Sequence, residues 1–369
     1  MLTYLGLFRQ RNFAFMTLAD AISVLGDQIG WVALLWFAMV TTKHAGYMGL
    51  LGLAFGLPGV FLGAVVGNVL DRTSHKKVLV TANVLLGIVF MAIPLLYQVH
   101  ALPMLVLFAL VLVAGCLTPY TSVGWMVVIP NPVKEDDLGP ANSIVETIWN
   151  GASLLGPLLG GLLIARFGAT VAVFADGVSF WAAALCVFVV KGSKQHFESR
   201  ESEEPSQRIS FLHDTWEGVK TLYGLTPVLW ITLGAVGFHL AYGQLEVSLP
   251  LFTHNELASS AVVLGSFWTT YFVGSLFMEH VYLHGFGRTS LRRLSTTSQN
   301  NRSEIGPQRV YGTNFGYSWF NYCFRHASWF FFGGAFGQWF PSSSVIGATG
   351  FAVVVLGLLL LSRRSFRTI

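Results

Sequence analysis

Charge is scarce in this sequence. Only 11% of its 369 residues are Asp, Glu, Lys or Arg, where a water-soluble domain carries about a quarter. That scarcity excludes a chain whose surface is solvated throughout. Cysteine is scarcer still: Cys116, Cys186 and Cys323 stand singly in apolar blocks with no Cys-x-x-Cys spacing. This excludes a disulfide framework or a thiolate metal site and leaves the three as small packing residues. No Gly-x-x-x-x-Gly-Lys-Ser/Thr loop is present to cradle nucleotide phosphates, so ATP is excluded as the direct energy source. The sequence also lacks His-Glu-x-x-His, a Gly-x-Ser-x-Gly elbow and any His/Cys cluster with ligand spacing. Neither an enzyme nor a resident metal or cofactor is therefore expected.

Apolar side chains are what the sequence has in excess, at 53% with a mean hydropathy of +0.60. They come in blocks of roughly 20 residues, the length that crosses ~30 Å of hydrocarbon at 1.5 Å per residue. With no water to satisfy their backbone groups, such blocks must be helices. The pattern predicts spans near 13–40, 45–70, 78–98, 102–129, 141–165, 169–191, 226–251, 259–280, 317–340 and 343–361. The block after Arg9 and Arg11 is too long for a cleaved leader and is expected to stay as the first span. Lys and Arg fix the orientation. With the N-terminus inside, only Lys43 and Arg166 fall in outer loops and Arg325 falls in a span, while every other cation is cytoplasmic. Both termini are then cytoplasmic, the partner is the lipid bilayer, and the net charge of +4 reflects topology rather than nucleic-acid binding.

Residues 192–225 interrupt the apolar series. They begin polar, with Glu198, Glu201, Glu203 and Glu204, and continue with Phe211, Leu212, Trp216, Val219 and Tyr223 at helical spacing. The stretch reads as a cytoplasmic linker followed by an interfacial helix. It separates an N-terminal six-helix half (1–191) from a C-terminal half (226–369).

Between spans two and three stands Gly67-Asn-Val-Leu-Asp71-Arg72-Thr-Ser-His-Lys76-Lys77. A glycine lets two helices approach, and the Asp-Arg pair is placed to bond neighbouring helix ends. Span five carries Gly151-Ala-Ser-Leu-Leu-Gly156-Pro157-Leu-Leu-Gly160-Gly161, a kinking proline among packing glycines. These two motifs resemble the cytoplasmic signature loop and the antiporter Gly-Pro-x-x-Gly-Gly element of the major facilitator superfamily. The text around them, with Asp136, Asp137, Asn142, Phe174, Asp176 and Gly26-Asp27-Gln28, is similar to its macrolide-efflux-like and enterobactin-exporter-like branch. The resemblance implies an all-α bundle of two pseudo-symmetric halves. It makes Gly67, Asp71, Arg72, Lys76 and Lys77 gating residues, and Gly151, Gly156, Pro157, Gly160 and Gly161 an exporter's packing element.

The family has twelve spans and this sequence offers about ten. From Phe277 to Gly316 a stretch rich in Ser, Thr, Asn and Arg stands where spans nine and ten belong, and the match is poor through about residue 332. The C-terminal half is therefore expected to be incomplete.

Carboxylates inside spans are functional candidates because an intramembrane charge is costly. Asp20, Ser23 and Asp27 share one face of span one, Glu146 belongs to a polar stripe on span five with Asn142, Asn150 and Ser153, and Asp176 lies in span six. Asp20, Asp27, Glu146 and Asp176 are the candidate proton or substrate groups. Glu246 and His239 on span seven are weaker candidates, placed to reach either the outer mouth or the cavity, with simple solvation the other reading for Glu246 because it stands near the outer end. The expected function is secondary active export of a lipophilic drug-like or siderophore-like small molecule in exchange for protons, by a monomer. The alternatives are a degenerate, non-transporting member of the same family and, last, a membrane-embedded enzyme.

Overall fold

Runs of apolar residues that must satisfy their own backbone groups fold here as long helices. The computed structural model describes residues 6–42, 44–128, 133, 137–190, 242–285 and 339–362. Its helices are α1 (Arg11–Thr42), α2 (Ala45–Arg72), α3 (His75–Gln98), α4 (Met104–Val128), α5 (Leu138–Phe167) and α6 (Ala169–Val189). They are followed by α7 (residues 242–251), which runs into a π-helical turn at Phe252–Glu256, then α8 (Ala261–Gly285) and α9 (Ser342–Ser362). Among the described residues there is no strand. Five helices, α1, α3, α4, α5 and α6, are long and apolar enough to cross a membrane, and α2 and α8 add the shorter apolar stretches Ala45–Gly59 and Ala261–Leu276.

The expected boundaries of the first six spans hold to within a few residues, because polar or turn-forming residues stand at each break. Thr73 and Ser74 alone separate α2 from α3, and Gly168, at φ 91°, makes the reversal between α5 and α6 that a side chain would strain. One boundary differs. The helix of the span expected at 259–280 ends later, since α8 continues to Gly285. Phe277, Met278, Val281, Tyr282 and Leu283 keep an apolar helical run going, and the first helix breaker is Gly285 itself. The linker and interfacial helix at 192–225, the first part of span seven, the stretch 286–316 and nearly all of span nine at 317–340 lie outside the described residues.

In the N-terminal half α1 packs between α5 and α6, α6 between α1 and α3, and α4 between α3 and α2. Two apolar cores mark the two ends of this bundle. One joins Phe13, Met16, Leu79, Trp125, Ala141, Ala183 and Val187, which come from the starts of α1, α3 and α5 and the ends of α4 and α6. The other joins Val32, Phe37, Met48, Phe90, Val111, Ile164 and Val173 from the opposite ends. Helices consecutive in sequence therefore run antiparallel, while the packed pairs α1–α5 and α2–α4 run parallel. That second core extends to Val247 and Leu251 of α7 and to Leu264 and Trp268 of α8.

Candidate functional site

Helix α1 is the polar spine of the bundle. Asp20 is fully buried, and among the described residues neither of its carboxylate oxygens has a hydrogen-bond partner. Asp27, two turns further on, sits deep among the helices yet is accessible to solvent, as a group lining a crevice is. Asp176 of α6 is buried against the same helix, and its Oδ1 accepts a hydrogen bond from Ser179 Oγ at 3.3 Å. What brings Asp176 so close is the absence of side chains opposite it. A Cβ built on Gly26 falls on the Ser179 hydroxyl, and one built on Gly30 falls on the Asp176 carboxylate. The Asp27 charge is felt at Asp176, and that of Asp20 at Asp27. Among the described residues no Lys or Arg pairs with any of the three. Three carboxyl groups thus lie along the α1–α6 contact, Asp20 and Asp176 buried and Asp27 open to solvent, and among the described residues no cation compensates them.

A fourth acidic group, for which the sequence left the outer mouth, the cavity and solvent open, is out of solvent. Glu246 of α7 is buried, 2% exposed, and its Oε1 accepts a hydrogen bond from the Trp31 indole of α1 at 3.3 Å. Tyr242, one turn earlier on α7, also hydrogen-bonds it, and Tyr242 packs with Trp268 and Tyr271 of α8 at ring separations of 5.5 and 5.4 Å. Trp36 meets His254 edge-on at 5.6 Å. Side chains of α1 therefore engage α7 and its π-turn at the end of the bundle remote from the α1 N-terminus. At the same end Glu256 Oε1 accepts the Ser343 backbone N–H at 3.1 Å and so closes the start of α9. The Ser343 hydroxyl, with the Ser343 and Ser342 backbone N–H groups, holds the exposed Glu256 carboxyl below its usual range.

The glycine-proline element of α5 serves both of its neighbours. Gly156 and Gly160 face α1 at Gln28 and Ile29, while Gly161 faces the Ala261 carbonyl of α8, and Gly265 of α8 faces the Pro157 carbonyl in return. Gln28 Nε2 donates to Ser153 Oγ at 2.7 Å, and Thr269 Oγ1 of α8 donates to the Leu154 carbonyl at 2.9 Å. The second bond lies just before Pro157, where the missing N–H loosens the helix. Gly151 differs from the rest, since a Cβ there meets nothing within 4 Å.

The loop motif is divided between two helices. Gly67, Asp71 and Arg72 belong to the last turns of α2, Lys77 is exposed on α3, and Lys76 has a definite partner. Its ammonium donates to the Phe188 and Val190 carbonyls at 2.8 and 2.6 Å, capping the C-terminal end of α6. Glu146 is not drawn to the other acids. It lies on an exposed face of α5 and accepts a long hydrogen bond, 3.4 Å, from Asn150. Among the described residues no group of three or more His, Cys, Asp or Glu is arranged to hold a metal.

Comparison with known proteins places this arrangement in a family. The family model of the Major Facilitator Superfamily matches residues 16–298. The multidrug efflux pump Tap of Mycobacterium tuberculosis is 27% identical over 199 residues, covering 52% of this chain and 48% of that protein. The staphyloferrin A transporter of Staphylococcus aureus is 22% identical over 185 residues, covering 50% and 45%. The chain spans about half the length of the curated relatives it matches. Among solved structures the nucleoside transporter NupG superposes with a TM-score of 0.65 at 12% identity, over 95% of this chain and 99% of that one. A bacterial homologue of the iron transporter ferroportin in an inward-facing state superposes with a TM-score of 0.52 at 17% identity, over 95% and 91%. These structural likenesses concern the fold alone. With the family model covering well over half of its length, the chain belongs to the major facilitator superfamily.

Proposed function

We propose that the chain is a secondary active transporter that exports a small lipophilic or siderophore-like solute by alternating access, driven by protons. The observation that carries this reading is the group Asp20, Asp27 and Asp176, which lies between α1 and α6 without a basic partner. A gradient-driven carrier needs a group whose charge follows the side to which the crevice opens, and Asp27 is the member of the set that water reaches. The kinship with an efflux pump and a siderophore transporter supports the choice of solute class and direction.

In this mechanism residues 1–191 and 226–369 are the two moving halves, joined through 192–225, with both termini cytoplasmic and a single chain as the working unit. The Trp31–Glu246 contact closes the outer side, and the α5–α8 glycine contact is the line about which the halves rock. Asp71 and Arg72, next to the two-residue turn between α2 and α3, latch the inner side. Asp27 takes up a proton while the crevice faces outward and releases it inward, and solute moves the other way.

The test is accumulation of labelled lipophilic drugs in cells expressing the chain, with and without a protonophore. The proposal requires reduced accumulation that the protonophore reverses. Accumulation equal to that of cells carrying an empty vector removes the export reading in favour of a non-transporting family member. Reduced accumulation indifferent to the protonophore removes the proton.

A further inference from the structure

Two adjacent faces of α5 are covered along most of the helix and open at one end. Ser153 and Pro157 follow Glu146 by about two and about three helical turns, so the three share a face. Gly156 and Gly160 follow Trp149 at the same intervals and share the face beside it. Further along the helix both faces meet other helices. Ser153, Gly156 and Gly160 lie against Gln28 and Ile29 of α1, and Pro157 lies against Gly265 of α8. At Glu146 and Trp149 the same faces are open, and both residues are exposed. Lipid does not account for the exposure of Glu146, because the exposed leucines of α5, Leu155, Leu159 and Leu162, stand on the far side of the helix from it. A cleft bounded by α1, α5 and α8 therefore opens toward the end of the bundle that holds the α1 N-terminus, the inner end in the proposed orientation. Asp27, next to Gln28 on α1, is exposed further along.

Glu146 and Trp149 are neighbours on α5, with Cβ atoms about 5–6 Å apart. The carboxylate accepts one long hydrogen bond, from Asn150 at 3.4 Å, and among the described residues no Lys or Arg pairs with it. We infer that Glu146, with the Trp149 ring beside it, is the specificity-determining group for the solute and selects a lipophilic monocation, such as a protonated or quaternary amine. A carboxylate and an indole face both attract a positive charge, and the ring adds apolar contact. The acidic groups of α1, Asp20 and Asp27, carry the same sign as Glu146, so an anionic solute entering this cleft meets like charge. One carboxylate at the mouth matches one positive charge. The inference rests on the export reading, and supplies the charge of the solute that this reading leaves open.

The experiment is equilibrium binding of labelled tetraphenylphosphonium, and separately of labelled tetraphenylborate, to the purified full chain in detergent, corrected for protein-free micelles. The two ions have the same shape and opposite charge. Saturable binding of the cation is expected, with the anion bound more weakly. Glu146→Gln should weaken cation binding by about fivefold, the upper end for an exposed charge pair, and leave the anion bound no more weakly than before. Glu146→Asp should restore most of the lost affinity, and Trp149→Leu should weaken the cation by about threefold. Elution from a sizing column shows that each variant is folded. No saturable cation binding by the monodisperse wild-type protein, unchanged cation affinity in Glu146→Gln, or equal loss for both ions in that variant overturns the inference; the last outcome is what a merely structural role gives. Because binding needs no gradient, failed drug export beside charge-selective binding removes the export reading and leaves this site standing, while export without charge selection at Glu146 removes this inference alone.

Discussion

Replacing Trp31 by Phe removes one hydrogen bond and little else. The ring still packs on Phe55, 5.2 Å away in the wild type, but the indole N–H that Glu246 Oε1 accepts at 3.3 Å is gone. Hydrogen bonds to charged groups are worth about 1.5–3 kcal/mol and neutral ones about 1 kcal/mol. At 3.3 Å the bond is longer than the usual N–H···O range, and Tyr242 remains to hold Glu246, so the lower figure of about 1 kcal/mol applies. If the bond exists only while the outer side is closed, its loss favours the open state about fivefold. The assay is the labelling rate of Leu35→Cys by an impermeant maleimide, in a background lacking Cys116, Cys186 and Cys323. Leu35 is 3% exposed and lies one turn from Trp31 on the same face of α1, so its labelling reports parting of the α1–α7 contact. Trp31→Phe should speed labelling about fivefold, and adding Glu246→Gln should give less than the product of the separate effects. Equal rates in wild type and Trp31→Phe would refute a latch made by this bond.

The other predictions touch the remaining contacts. Asp27→Asn should abolish coupled export while leaving membrane insertion intact, and unchanged export at every pH removes Asp27 from the cycle. Gly265→Leu places a side chain against the Pro157 carbonyl, so overpacking of about 1–3 kcal/mol should slow export and lower the temperature at which the purified chain aggregates; wild-type behaviour in both would contradict the close α5–α8 contact. Lys76→Ala leaves the Phe188 and Val190 carbonyls without their ammonium donor and should cost about 1–2 kcal/mol, read as earlier loss of helicity on heating. Because Ser343 holds the Glu256 carboxyl below its ordinary range, that contact stabilises the fold above the ordinary glutamate pKa and is lost as pH falls through the lowered one. Exchange of the Ser343 amide hydrogen, referred to the rate of an unstructured amide at each pH, should therefore lose protection at acid pH in wild type. In Glu256→Gln the same protection should not change with pH.

Span positions were legible because a bilayer imposes a length and a composition at once. Each of the first six helices begins and ends where apolar text meets a turn such as Thr73-Ser74 or Gly168. Neighbours across the bundle were not legible. Glu246 stood open between cavity and solvent because it lies near the end of its apolar block, and nothing local announces that Trp31, 215 residues earlier, donates to it. An acidic residue and an indole each occur singly in many membrane helices, so only the packing of α1 on α7 joins them. Glu146 marks a second limit of the sequence. Its stripe with Asn142 and Asn150 had the right helical period, but the period cannot say whether the face meets another helix, and here the residue is exposed. Asp176 was singled out without its reason. Gly26 and Gly30 supply that reason, and their role depends on a helix packed against them.

The account turns on whether this chain moves a solute against its gradient at the expense of protons. Purified chain in liposomes, with a fluorescent lipophilic drug and an imposed pH difference, tests that most directly. The account predicts gradient-dependent drug movement that collapses with a protonophore and is absent in Asp27→Asn. Drug movement no faster than in protein-free liposomes, with the protein folded and inserted, would contradict it.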